Sequence, residues 1–129
     1  MAGKGVGSQT GPIYCLGDIN VAVAGTPAPL SQNVSTDGGF GTAATPSPIC
    51  ANQIIFHALA GNTGASYIIL GVGNTKASPA AGGAIVKRLA PGETYTLTTT
   101  NLSNPFQLKQ FMIDADTNAN KVTVTAVIV

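Results

Sequence analysis

The chain has very little charge. Only 9% of its residues are Asp, Glu, Lys or Arg, against roughly 25% in an ordinary soluble domain. Enzymes that use acid–base chemistry gather ionisable side chains at one site, and nucleic-acid-binding proteins place Lys and Arg on one face to neutralise phosphates. Here six basic and five acidic residues give a net charge of +1. They are scattered along the chain, so the composition argues against both an enzyme and a nucleic-acid-binding protein.

Other features are also scarce. Apolar residues make up 44% of the chain, yet no run of them approaches the roughly 20 residues that a membrane helix needs, so we expect no membrane insertion. Tryptophan is absent, which leaves few rings for stacking on sugars or single-stranded nucleic acid. One histidine and two cysteines cannot complete a zinc site. No segment has convincing helical periodicity.

The N-terminal segment is rich in glycine and lacks the apolar core of a secretory signal peptide. We interpret residues 1–12 as a flexible arm. The absence of an export signal predicts synthesis in the cytoplasm, where Cys15 and Cys50 are expected to be reduced thiols. A disulfide between these two cysteines stays open as an alternative.

Proline and glycine divide the rest of the chain into short segments with alternating apolar residues. The segment 35–48 is too long for a hairpin connection, and Pro91-Gly92 is typical of a type II turn. In 94–100, hydroxyl side chains alternate with Tyr95 and Leu97. The predicted strands cover 13–24, 30–34, 52–59, 66–72, 84–89, 94–100, 108–114 and 121–129.

This pattern predicts an all-β fold, a single antiparallel β-sandwich or jelly roll over residues 13–129 that follows an extended N-terminal arm. The last predicted strand, 121–129, is apolar on both faces toward its end. Such a strand needs neighbours on both sheet faces or a partner chain.

The residues offer few candidates for chemistry. His57 lies within a predicted strand with no acid nearby in sequence, which favours a structural or interface role over catalysis. Oxygen-bearing side chains alternate over 114–120, as in a calcium loop. The sixth and twelfth positions of an EF-hand loop would hold Gly and Glu, whereas this chain has Ala119 and Thr125. A polar turn whose Asx side chains bond the backbone is favoured, and calcium stays open. We predict no catalytic, cofactor-binding or metal-binding residue.

A series of turn and strand motifs covers about three quarters of the chain. The motifs are Ala28-Pro29-Leu30, Ser47-Pro48-Ile49-Cys50, Asn62-Thr63-Gly64, Tyr67-Ile68-Ile69-Leu70-Gly71, Leu89-Ala90-Pro91-Gly92-Glu93, Asn101-Leu102 and Phe111-Met112-Ile113-Asp114-Ala115-Asp116, followed by a terminal strand. In this order they resemble the small β-sandwich virion proteins of tailed bacteriophages. The resemblance implies a capsid decoration (cement) protein, a homotrimer that binds the major capsid protein on the capsid exterior and stabilises the shell. It also implies synthesis in the host cytoplasm and no cofactor.

Two other functions stay open. One is a tail, baseplate or fibre component of the same virion, and the other is a carbohydrate- or host-surface-binding module that would need an exposed patch of Tyr14, Tyr67 or Tyr95. For the decoration protein, we expect the arm and the segment 35–48 to contact the capsid. Ile128, Val129 and neighbouring apolar residues are expected at the contact between subunits.

Overall fold

The fold is built almost entirely from β-strands. The computed structural model describes residues 13–34, 50–71, 74–77, 84–99 and 105–128. The predicted arm, the predicted loop 35–48 and Val129 lie outside these residues. Among the described residues, no helix is long and apolar enough to cross a membrane.

Nine strands form in the described part of the chain, and a single 3-10 turn at Leu108–Gln110 separates the seventh from the eighth. The strands are β1 (Ile13–Val21), β2 (Ala28–Pro29), β3 (Cys50–Ala58), β4 (Ser66–Leu70), β5 (Ala84–Leu89), β6 (Thr94–Thr98), β7 (Phe106–Gln107), β8 (Phe111–Ala115) and β9 (Asn120–Ile128).

The strands form two antiparallel sheets. One sheet has the order β1-β9-β3-β6, with β7 paired to the first residues of β3, and the other has the order β2-β8-β4-β5. This arrangement confirms the predicted all-β, sandwich-like fold. Most strands that are consecutive in the sequence lie in different sheets or are separated by another strand. The paired strands are therefore mostly far apart in the sequence.

The core lies between the two sheets and is formed by alternate residues of the central strands. β3 contributes Ile54, Phe56 and Ala58, all fully buried. Phe111 of the facing sheet lies 6.3 Å from Phe56, measured between ring centres, in a tilted arrangement that aromatic pairs favour. Phe106 meets Phe111 edge-on at 6.0 Å. These apolar contacts join the two sheets into one core.

The last strand obtains its neighbours from its own chain. β9 lies between β1 and β3, so both of its hydrogen-bonding edges are occupied. Ile128 is half-buried and packs against the core. A central position in the sheet therefore gives this strand neighbours within its own chain. The expected subunit contact at Ile128 and Val129 stays a prediction, and Val129 lies outside the described residues.

Several predicted strands differ from the observed ones, and β2 and β7 lie outside the predicted strands. β1 ends at Val21, and Val23 is 53% exposed although it continues the alternation. The predicted strand 30–34 is instead a pair of turns, in which the N–H of Gln32 donates to the Pro29 carbonyl and that of Val34 to the Ser31 carbonyl. The predicted strand 108–114 begins as the 3-10 turn. After β1, the N–H groups of Ala24 and Gly25 form tertiary hydrogen bonds with Asn118 and Asp114. The other two differences are local turns whose hydrogen bonds join residues three apart.

The predicted type II turn between β5 and β6 is confirmed. Gly92 has a φ of +84°, and the N–H of Glu93 donates to the Ala90 carbonyl at 3.0 Å. Pro91 suits the first central position because its ring fixes φ near −65°, and glycine suits the second because it has no Cβ to clash at positive φ.

Candidate interaction surface

The outer face of the five-stranded sheet has three rows of residues that cross β1, β9, β3 and β6. A fourth row, Asn20 and the exposed Lys121, lies beside them on β1 and β9 alone. Because side chains alternate along a strand, these rows point away from the core. From β1 to β6, the three rows are Asp18, Thr123, His57 and Thr94; Cys15, Thr125, Ile55 and Thr96; and Ile13, Val127, Gln53 and Thr98. We call these residues the hydroxyl face.

Besides the thiol of Cys15, the hydroxyl face carries two ionisable side chains, Asp18 and His57. Each of them forms a hydrogen bond with a threonine. The Thr123 hydroxyl donates to Asp18 Oδ1 at 2.6 Å. His57 Nδ1 lies 2.8 Å from the Thr94 hydroxyl. Thr94, Thr96 and Thr98 are all exposed along β6. The face is therefore nearly neutral, and its accessible polar groups are mainly hydroxyls.

His57 is not arranged as a general base. Thr123 separates it from Asp18 within the same row, which places the two residues about 10 Å apart at normal strand spacing. Among the described residues, no carboxylate therefore orients the imidazole, as a His-dependent nucleophilic mechanism would require. The structural or interface role that the sequence favours for His57 stays a prediction.

The four oxygen-bearing side chains at alternate positions of 114–120 bind backbone N–H groups of surrounding loops. Buried Asp114 accepts from Gly25 and Lys76 at 2.9 Å each and from Ala115 at 2.8 Å. The other three side chains accept from two loops. Asp116 and Asn120 accept from the N–H groups of Ala65 and Thr63, both between β3 and β4, and Asn118 accepts from the N–H of Ala24. We call these four side chains the Asx clamp.

The Asx clamp corrects one detail of the prediction. The side chains do bond the backbone, but mostly that of other loops rather than their own. Asp116 also accepts from the Tyr67 hydroxyl at 3.0 Å and lies 3.3 Å from Lys76 Nζ. The N–H of Ala65, followed by Tyr67 and Lys76, holds the pKa of Asp116 below its usual value. A calcium ion would have to displace these donors.

Metal and paired-acid sites are not formed by the described residues. Across this part of the chain, no group of three or more His, Cys, Asp or Glu side chains could hold a metal ion. Glu93 caps its own turn through the Ala90 N–H at 2.9 Å and pairs with Lys87 at 3.3 Å. These contacts, the Ala90 N–H first, lower the pKa of Glu93.

The two cysteines are free thiols. Cys15 pairs with Thr125 on one side of β9, whereas Cys50 begins β3 on the other side of it. The intervening strand alone places the two Cα atoms at least about 10 Å apart, which exceeds the limit of roughly 7 Å for a disulfide.

The tyrosines do not form a stacking platform. Tyr14, Tyr67 and Tyr95 are each half-buried, and Tyr14 and Tyr95 pack against the core. Lys76 Nζ lies 5.7 Å from the ring centre of Tyr67, and Lys87 Nζ lies at the same distance from Tyr95. The three rings are therefore distributed over both sheets and covered by other side chains.

An apolar cleft of about 410 Å³ opens between the sheets, near the end where β4 stops and β8 begins. Its described lining has no ionisable side chain and consists of Leu70, Val86, Leu97, Thr99, Pro105, Phe106, Gln110 and Phe111. The cleft can accept an apolar group, but this lining supplies no acid or base.

Two sets of contacts were not anticipated from the sequence. Gln32 and Asn33 lie beside β1, where their side-chain amides bond its backbone. Asn118 reaches Ala24 across the end of the sandwich. In the sequence, Gln32 and Asn33 are only a pair of polar residues, and Asn118 is only one member of an alternating polar segment. Neither pattern reveals a hydrogen-bonding partner many residues away.

Comparison with known proteins identifies no relative. No family model, no curated protein and no solved structure matches this chain.

Proposed function

We propose that this chain is a non-enzymatic structural protein of a tailed-phage virion. Specifically, it is a capsid decoration (cement) protein that binds the major capsid protein on the capsid exterior as a homotrimer and stabilises the shell. The observation that carries the proposal is the hydroxyl face, an almost uncharged surface on a sandwich whose described residues assemble no acid–base site.

The size of the hydroxyl face favours attachment at several points. Three rows on four strands cover on the order of 400 Å² at normal sheet spacings. Stable one-to-one complexes bury about 800 Å² on each partner, so a single face binds weakly. Three copies joined in one trimer would engage a repeating capsid surface together, and avidity would raise the overall affinity.

The low charge of the face bears on how such contacts respond to salt. Interactions between exposed charges weaken as ionic strength rises, because salt screens them over about 10 Å at 0.1 M. Contacts made by hydroxyl and apolar groups such as Thr96 and Ile55 are screened far less. We therefore expect capsid binding to change little between low and high salt.

The proposal is tested by binding the purified protein to capsids of its source phage that lack it. A lysine at Thr96 or Ile55 would bury an unpaired charge in the contact, so T96K and I55K should reduce co-sedimentation with capsids at least tenfold. The control is V23K, a lysine at an exposed position outside the face. Equal binding by all three variants would contradict the assignment of the face.

The tail, baseplate or fibre component remains the second candidate, since the fold suits either role. Copy number separates them, because a cement protein is present in hundreds of copies per particle and a tail part in few. Cryo-electron microscopy of the source particle measures this directly. Deleting residues 2–12 tests the expected role of the arm, and unchanged capsid binding would contradict it.

A further inference from the structure

Within the part of the chain that the structure describes, β1 is the outermost strand of the five-stranded sheet and its one strand partner is β9. It is nine residues long and begins at Ile13, which is 74% exposed. A long edge strand of this kind presents unpaired N–H and C=O groups that another chain can pair with. The state of its outward backbone groups therefore decides whether a second copy of this chain can add a strand at this edge.

Gln32 pairs with the edge of β1 as a neighbouring strand would. The N–H of Asn20 donates to Gln32 Oε1 at 2.6 Å, and Gln32 Nε2 donates to the Asn20 carbonyl at 2.7 Å. One side-chain amide thus satisfies both backbone groups of one residue. This is the exchange of two bonds that a hydrogen-bonded pair makes in an antiparallel sheet.

Asn33 continues the same contact along the strand. Its Nδ2 donates to the Asp18 carbonyl at 2.6 Å and to the Leu16 carbonyl at 3.2 Å. Gly17, at the bulge of β1, has a φ of +74°, and a Cβ there would lie 3.3 Å from Asn33 Nδ2. Glycine therefore allows both the strand conformation and the close approach of the amide.

The two amides are held in place by the turns that precede β3. Leu30 is 1% exposed and belongs to the core. The N–H of Gln32 bonds the Pro29 carbonyl at 3.1 Å, and that of Val34 bonds the Ser31 carbonyl at 2.9 Å. The amides are therefore positioned by a buried anchor rather than resting loosely on the surface.

We propose that Gln32 and Asn33, which we call the amide strap, close the edge of β1 against strand addition by a second copy of this chain. The strap satisfies the Asn20 N–H and the carbonyls of Leu16, Asp18 and Asn20, so a competing strand has to displace four hydrogen bonds. Contacts between copies are thereby directed away from this edge. The inference does not depend on the capsid role.

The first test measures the strap itself by amide hydrogen exchange on the full chain. The Asn20 amide should exchange well below its intrinsic rate in the unaltered protein. Removing the acceptor in Q32A should speed that exchange about fivefold, as expected for one hydrogen bond. An Asn20 amide that is unprotected in the unaltered protein would overturn the proposal without any variant having to fold.

The second test measures association by sedimentation velocity at matched concentrations. The Q32A/N33A variant should form species larger than those of the unaltered protein, because its edge is open. The Q32K/N33K variant also lacks the strap but places charges that block edge pairing, so it should keep the original size. S31A, in the same turn, is the matched control, and its size distribution should equal that of the unaltered protein.

Two results of the second test would overturn the proposal. One is a Q32A/N33A variant that keeps the original size distribution. The other is a Q32K/N33K variant that forms the same large species, because general destabilisation rather than edge pairing would then explain both.

Discussion

The Asp114 carboxylate should contribute more to stability than any other single polar group in the described part of the chain. It is fully buried on β8 and accepts hydrogen bonds from Gly25, Lys76 and Ala115. Two of these donors are distant in sequence and belong to different loops. D114A would remove the acceptor for all three and leave partly buried N–H groups without a partner.

The expected loss of stability in D114A follows from those two long-range donors. An unsatisfied buried donor costs about 1–3 kcal/mol, so losing the acceptor for Gly25 and Lys76 should lower the free energy of unfolding by about 2–5 kcal/mol. Domains of this size are stable by only about 5–15 kcal/mol. D114N should be milder, at about 1–2 kcal/mol, because one oxygen remains while the new amide faces the Lys76 N–H.

Urea denaturation measures both variants, provided that the slope of free energy against urea is unchanged. D18A is the control, because Asp18 is an exposed carboxylate that accepts a hydrogen bond from the Thr123 hydroxyl. It should change the free energy of unfolding by about 0.5 kcal/mol. Hydrogen exchange at Gly25 and Lys76 localises the effect. A D114A variant within about 0.5 kcal/mol of the unaltered protein would refute the reasoning.

The remaining predictions concern pH, one turn and the core. Asp116 and Glu93 both have a pKa below the unfolded value, so their contribution is complete above about pH 5 and is lost as the pH falls through the lower folded values. The urea concentration at the midpoint should therefore decrease as the pH is lowered from about 5, and D116N should flatten that dependence; an unchanged profile would contradict the hydrogen-bonded role. G92A forces a Cβ into a φ of +84° and should cost about 1–2 kcal/mol; thermal unfolding of G92A beside G61A, a turn glycine without positive φ, gives the comparison. F56A empties the centre of the core and should cost about 3–5 kcal/mol in urea denaturation; a cost below 1 kcal/mol would mean that Phe56 and Phe111 do not join the sheets.

Strand identity could be predicted where it depends on local alternation. In β3 and β9, apolar residues such as Phe56 and Val124 recur at every second position, and both segments are strands. The turn at Gly92 could also be predicted, because the conformation of a turn depends on its own four residues. The same alternation indicated that Thr94, Thr96 and Thr98 share one side of β6.

The composition of the hydroxyl face could not be predicted, because it depends on which strands are neighbours. Thr96 lies beside Ile55, and Ile55 beside Thr125, only because β3 is placed between β6 and β9. Strand order follows from packing of the whole core and from pairings between distant segments. No local pattern in β6 specifies that order.

The segment 30–34 shows how a tertiary contact outweighs a local pattern. Leu30 and Val34 flank polar residues, which is compatible with a short strand. The structure instead uses Leu30 as a core anchor and turns Gln32 and Asn33 toward the edge of β1. Their hydrogen-bonding partners lie 12 to 17 residues earlier in the chain.

The amino-acid sequence by itself determined the all-β class, the low charge of the surface and the position of the main turns, because each depends on composition or on a few neighbouring residues. Only the tertiary structure decided the strand order, the rows of the hydroxyl face and the partners of Asp114, which lie 89 and 38 residues away. The physical reason is that a buried polar group requires a partner from whichever segment the packing brings beside it.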